Sequence, residues 1–378
     1  MDMNSDAENS IRNRVRLGLH AGNGNFLLLR HYNTLVLSES GKAQIEQENP
    51  DMLVCLHDFK VSDIISVFEP FLDFARSAFG PFSEEQIDGL LEECKVYSLH
   101  KSVFKSFFLN GLCVREENLL IDEVAFEQDK IASAVVNIVS RLAGDRQVIF
   151  LLNDMQYANG SSMHFIHNLI EDDACHNIIV IAAYNEAKVP LSHMEPLWDK
   201  FYRYICEQKL VTETSAGVLG SPNGNFNDFI FSIDRLDGYI VKINNLLFCL
   251  DFLQANYYLE IIYKMITVEE ITIAWDYKCE IIKMYTLVSI YTQNFSQALL
   301  LCEKLKELRG QSKDLSLEHA YYYFMCMAHM YNGKLDEADK YAGKCLEIAE
   351  KQQSDYDIFI AKLLGVMVKM SGWHNIFF

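Results

Sequence analysis

The stretch Gln147–Glu186, QVIFLLNDMQYANGSSMHFIHNLIEDDACHNIIVIAAYNE, constrains the fold more than any other part of the chain. Val148 to Leu152 is an unbroken apolar run, the pattern of a parallel strand covered on both faces. Asn153 and Asp154 follow it, at the carboxyl edge where open α/β sheets place their ligand chemistry. Ser161 and Ser162 offer caps for a helix that buries Met163, Phe165, Ile166, Leu169 and Ile170 at helical spacing. Asn177 to Ala183 reads as a second buried strand. A strand–loop–helix–strand unit of this kind has nowhere to bury its faces except in a larger α/β domain.

Upstream, Phe26–Leu29, Thr34–Leu37 and Met52–Leu56 read as strands. Apolar residues at Ile64, Ile65, Phe68, Phe71, Leu72 and Ala75 predict a helix over Asp63–Phe79, and a further helix is predicted over Glu123–Leu142. Alternation over residues 10–190 gives an α/β domain. Pro190, Pro196 and the turn-rich Gly217–Asn227 mark residues 191–236 as a junction. From residue 237 to 378 there is no proline, and the pattern is helical throughout.

That second part repeats. Phe252-Leu-Gln-Ala255, Phe295-Ser-Gln-Ala298 and Leu335-Asp-Glu-Ala338 place their alanines 43 and 40 residues apart, the spacing of helical-hairpin repeats. In the clearest copy, Tyr322, Met325, Cys326 and His329 precede Gly333, and Leu335, Ala338, Ala342, Cys345 and Leu346 follow it. A further copy opens at Leu364-Gly365, so the last repeat is expected to be incomplete at Phe378 and the chain to be a piece of a longer product. The predicted fold is therefore an α/β domain followed by an all-α helical repeat array.

The net charge of −19 weighs against a non-specific nucleic-acid surface. The 10 cysteines form no CxxC pair and no signal peptide is recognisable, so reduced thiols and a cytoplasmic location are expected. The apolar segment Phe26–Leu37 is broken by Arg30 and His31 and is too short to cross a bilayer, so no membrane association is expected.

Leu151-Leu-Asn-Asp-Met-Gln-Tyr-Ala-Asn159 resembles the Walker B stretch of the STAND class of P-loop signalling ATPases, in which apolar residues precede Asp-Asp-x-Gln-Trp-Ala-Asp. Ile178–Glu186 resembles the sensor strand that follows it. The resemblance implies a P-loop NTPase-like α/β domain joined to tetratricopeptide-like repeats and an output module, with ATP or ADP and Mg²⁺ as ligands. This chain departs from the pattern at several positions. Asn153 stands at the Mg²⁺-holding aspartate, and a neutral amide holds a hard dication more weakly. Asp154 remains to orient water. Tyr157 replaces tryptophan, Asn159 replaces the last acid, and Asn185 stands at the phosphate-sensing arginine. The nearest phosphate loop, Val36-Leu-Ser-Glu-Ser-Gly41-Lys42-Ala43, keeps Gly41 and Lys42 but lacks the first glycine and the Mg²⁺-binding hydroxyl. An ordinary loop dipeptide explains Gly41-Lys42 as well.

Beside a purely structural reading, a helical adaptor in which the α/β part is only a folded cap, two functions follow. One is a signalling scaffold with a degenerate nucleotide site, a pseudo-ATPase whose repeats bind a protein partner or relay to an output domain. The other is a working switch in which Lys42 binds phosphate and Asp154 activates water. Tyr321 and Tyr323 are candidates for partner contact as well as for packing. His164 and His167 form a metal-like pair with no third ligand in view, Cys326 and His329 fall at packing positions, and Cys94, Cys113 and Cys175 have no neighbouring base.

Overall fold

The computed structural model describes residues 25–31, 37–61, 64–113, 124–172, 175–186, 188, 190–191, 193–213, 229, 231–267, 271–311 and 314–377. Contacts divide the chain into two compact units, Met1–Ile230 with Val241–Gln254, and Phe231–Ile240 with Ala255–Phe378.

The first unit is built on five parallel strands in the order β2-β3-β4-β1-β5. These are β1 (Phe26–His31), β2 (Leu53–Asp58), β3 (Val148–Asn153), β4 (Ile178–Asn185) and β5 (Val211–Glu213). β3 is buried at every position, which explains its unbroken apolar sequence. The helices are α1 (Glu39–Glu48), α2 (Phe71–Phe79), α3 (Glu84–Glu93), α4 (Ser98–Asn110), α5 (Val124–Ala143), α6 (Gly160–Glu171) and α7 (Glu195–Glu207). Ile45 of α1 packs with Leu27, Leu29, Val54, Ile149, Leu151 and Ile181 on one face of the sheet. On the other face Phe150 meets the rings of Phe71 and Phe74 from α2, Phe71 stacks on Phe165 of α6, and Phe26 meets Phe201 of α7. The crossover from β1 to β2 thus leaves in the direction opposite to that from β4 to β5, and their helices cover opposite faces, as right-handed crossovers require. The connections reverse between β1 and β4, where sheets of this kind open a crevice.

Several expectations change here. Strand β1 is Phe26–His31, and of the strand expected over Thr34–Leu37 only Leu37 is described, as a buried bend. The predicted helix over Asp63–Phe79 is helical only from Phe71, because Pro70 disfavours helical backbone at the residue before it. Phe68 adopts φ 51°, and Ile64, Ile65 and Phe68 are buried from an irregular segment instead. Residues 191–236, read as a junction, contain α7 and the fifth strand.

Ser161 and Ser162 do not cap α6; Asn159 does, its Oδ1 accepting from the Ser162 amide at 3.0 Å. Ser161 Oγ accepts from the Phe68 amide at 2.9 Å, and Asn159 Nδ2 donates to the Ser66 carbonyl at 2.7 Å, fastening the 64–70 segment to the helix start. Beneath them lies Asp251, 2% exposed, accepting from the Ser161 amide at 3.0 Å and from the Gln254 amide. A side chain at Gly160 would come within 3.2 Å of the Asp251 carboxylate, so glycine permits this approach. The 241–254 segment makes other internal bonds of the first unit. Asn245 accepts from the Cys113 amide at 2.8 Å, Gln128 donates to the Leu250 carbonyl at 2.6 Å, and Lys242 donates to the Ile64 carbonyl at 2.8 Å.

Beyond the sheet the chain is helical: α8 (Leu236–Phe248), α9 (Phe252–Thr267), α10 (Trp275–Tyr291), α11 (Phe295–Gln311), α12 (Leu315–Tyr331), α13 (Leu335–Gln352) and α14 (Asp355–Phe377). The repeat is visible atom by atom in the turns. Leu250, Gln293 and Gly333 all take positive φ, at 65°, 60° and 74°. The residue after each donates to a carbonyl five back: Asp251 to Leu246, Asn294 to Ser289 and Lys334 to His329, each at 2.8 Å. This is the helix-ending motif that satisfies terminal carbonyls. Five residues after each left-handed residue stand Ala255, Ala298 and Ala338, all 0% exposed. The alanine spacing seen in the sequence is the spacing of these turns. A parallel sheet followed by a helical array is thus the architecture of the chain.

Candidate functional site

The carboxyl edge of the sheet gathers the residues singled out by sequence. Asn153, 1% exposed, ends β3. Its Nδ2 lies 2.8 Å from the Leu37 carbonyl and 2.7 Å from Asp58 Oδ1, and its Oδ1 accepts from the Leu37 amide at 3.3 Å. The side chain therefore ties the segment before α1 to the ends of β2 and β3. A carboxylate could not do this, since it has no proton to donate to Leu37 or Asp58.

Asp154 comes next, in left-handed backbone with φ 55° and ψ 45°. Its Oδ2 lies 2.6 Å from Lys188 Nζ, and Gln156 Nε2 approaches Oδ1 at 3.4 Å. Gln156, fully buried, also accepts from the amide of Asn185 at 3.4 Å, linking Asp154 to the end of β4. Asn185 is 7% exposed, and its carbonyl accepts from the Lys188 amide at 3.0 Å. At the end of β1, Arg30 pairs with Glu186 at 2.7 Å. Lys188 and the Arg30–Glu186 pair were not singled out in the sequence, because no motif marks a cation beyond the sensor-like strand.

Helix α1 begins at this edge. Ser38 caps it, its Oγ accepting from the Gly41 amide at 3.2 Å, and Glu39 occupies the first turn. Gly41 and Lys42 lie inside the helix, and a side chain added at Gly41 would meet only Ser38 Oγ at 3.6 Å. Glycine is thus not demanded there by the backbone, and no phosphate-cradling glycine loop is present among the described residues; Val36 lies outside them. The Lys42 charge is felt at Cys55 on β2, whose thiol burial pushes up to about 12.

The site is brought together but balanced within itself. Asp154 is matched by Lys188, Glu186 by Arg30, and Asn153 is spent on structure. A phosphate entering here would have to displace a carboxylate from each basic partner.

A cavity of about 320 Å³ opens at the end of β2, with His57, Asp58, Lys60, Glu69 and Lys242 around Leu56, Ile64 and Ile65. Burial holds the His57 imidazole down at about 4, so the ring is neutral near pH 7.

Among the described residues no group of three or more His, Cys, Asp or Glu side chains could hold a metal ion. His167 packs its ring 4.5 Å from Tyr204, and burial lowers the His164 pKa, consistent with helix-packing roles. Cys113 and Cys249 lie 3.9 Å apart, both buried. The helical array holds an arrangement the sequence spacing did not show. Cys345 Sγ stands 3.2 Å from His319 Nε2, whose Nδ1 is 3.9 Å from Asp357. The order matches a nucleophile, base and orienting acid, but Cys345 is 0% exposed and burial pushes its thiol up to about 12. A buried neutral thiol with no access does not attack substrates. Tyr321, proposed for partner contact, is 6% exposed, with the Arg309 guanidinium 5.5 Å from its ring centre. Tyr323 is partly buried against Phe324, so both tyrosines pack within the array. Cys326 is 0% exposed and the His329 ring stacks on Tyr341, again as packing.

The sequence matches no family model. It has no significant match among curated proteins either. No helix among the described residues is long and apolar enough to cross a membrane.

Proposed function

We propose that the chain is a signalling or regulatory scaffold in which the α/β unit carries a degenerate nucleotide site and the helical repeats engage a protein partner or relay to a linked output domain. The observation that supports this reading is the charge balance at the β1/β4 crevice, where Lys188 and Arg30 are held by Asp154 and Glu186. A parallel sheet followed by a helical array is the coarse layout that the resemblance implies, while Asn153 and Asn185 put amides where hydrolysis needs charges. Transition-state stabilisation by a metal and an arginine would be missing, and each is worth orders of magnitude in rate.

Thermal unfolding with and without millimolar Mg-ATP or Mg-ADP tests the reading. No shift is expected with either. A ligand at about 100 times its Kd stabilises by roughly 2.7 kcal/mol and would move the transition by several degrees. Such a shift, with turnover abolished by Asp154→Ala, would instead establish the active ATP-dependent switch, with Lys42 on the phosphates and Asp154 on the attacking water.

A further inference from the structure

Helix α14 is apolar around more of its circumference than its packing on α12 and α13 covers. Ile360, Ala361, Leu364 and Val368 face inward, none more than 4% exposed. On another face Tyr356, Phe359, Val366 and Met370 are 40%, 62%, 51% and 61% exposed. With half-buried Leu363 between them, these residues are spaced 3, 4, 3 and 4 apart along the helix. A seam with a period of 3.5 residues is the pattern that seats one helix against another along its length, whereas a merely solvent-facing helix surface is polar.

The charges beside the seam favour one orientation. Asp355, Lys362 and Lys369 are exposed, follow one another at intervals of seven, and run along one flank from acidic to basic. In an antiparallel pair this flank faces its own equivalent, so Asp355 of one copy meets Lys369 of the other at both ends, and the two Lys362 ammonium groups face each other in water at the centre, where their repulsion is screened. A closed two-fold contact of this kind uses one surface patch on both partners. We propose that the exposed face of α14 is the seam of an antiparallel contact with a second copy of this chain.

Sedimentation velocity of the 378-residue chain across a concentration series tests this, with a species of twice 43.5 kDa expected to grow with concentration. Phe359→Glu combined with Val366→Glu should return the mass to that of the monomer without changing the circular dichroism, since both side chains are exposed in the single copy. Asp355→Lys should weaken association about tenfold, and adding Lys369→Asp should restore it. A monomer throughout would overturn the proposal and leave this face to another segment or protein. Association that survives the double glutamate variant would overturn it too, and failure of the charge swap to rescue would overturn the antiparallel register.

Discussion

Asn153 illustrates how one atom type decides what a position can do. Its amide nitrogen satisfies the Leu37 carbonyl and the Asp58 carboxylate together. Asn153→Asp would remove both donations and set a buried carboxylate beside the exposed carboxylate of Asp58, a loss of about 2 kcal/mol. Urea unfolding should show that loss, and Asp58→Asn in the same chain should recover part of it by returning a donor to the pair. His57 gives a pH signature. Burial disfavours its charged ring, Asp58 opposes that effect and Lys60 adds to it, leaving the folded pKa at about 4 against 6.5 for a free imidazole. Folding thus favours the neutral ring, so this contribution is full above pH 6.5 and drains as the pH falls toward 4. The urea midpoint should decline through that window, and His57→Gln should flatten the decline. At the crevice, Asp154→Asn with Glu186→Gln would remove the carboxylates that pair with Lys188 and Arg30. That variant should gain a thermal shift with inorganic pyrophosphate that the unaltered chain lacks, as measured by scanning fluorimetry.

The hairpin turns show which elements were legible in the sequence. Each repeat turn needs one residue in left-handed backbone, yet only one of the three uses glycine. A side chain at Gly333 would meet nothing within 4 Å, so Gly333→Ala should cost only the backbone term, about 1 kcal/mol. Gln293→Gly should gain up to about the same amount, a change that calorimetry can resolve. The glycine was visible in the sequence; its equivalents were not, and the buried alanine five residues on carried the signal instead. Strands β3 and β4 were legible because a strand buried on both faces tolerates no polar interruption. β5, only 3 residues long, offers no period to detect and is held by its bonds to β1. Helix α3 carries a readable start, Ser83 and Gln86 in a reciprocal cap, but no long apolar run follows it. The segment before α2 misled because Ile64, Ile65 and Phe68 imitate helical spacing while being buried by a fastening to α6 made across 93 residues. The site behaved in the same way. Asn153, Asp154 and Asn185 stand at the carboxyl ends of apolar runs and Gln156 lies in the same motif, but their partner Lys188 is set by three-dimensional contact alone.

At the scale of the molecule, the first unit is not one stretch of sequence. Its core and sheet come from residues before 214, but Lys242, Asn245, Leu250 and Asp251 belong to it as well. Together they satisfy the carbonyl of Ile64, the amide of Cys113, the side chain of Gln128 and the first turn of α6. During synthesis the α/β unit therefore has to wait. With the sheet residues already emerged, the Ser161 amide lacks the Asp251 carboxylate, and the Ile64 carbonyl lacks Lys242, until the ribosome has delivered residue 251 and the next turn. A chain released at residue 236, the most natural place to divide this protein by eye, should lack cooperative unfolding and be digested rapidly by protease, while the full chain resists. The nascent unit is exposed for that interval, and its dependence on chaperones should end where Asp251 clears the exit tunnel.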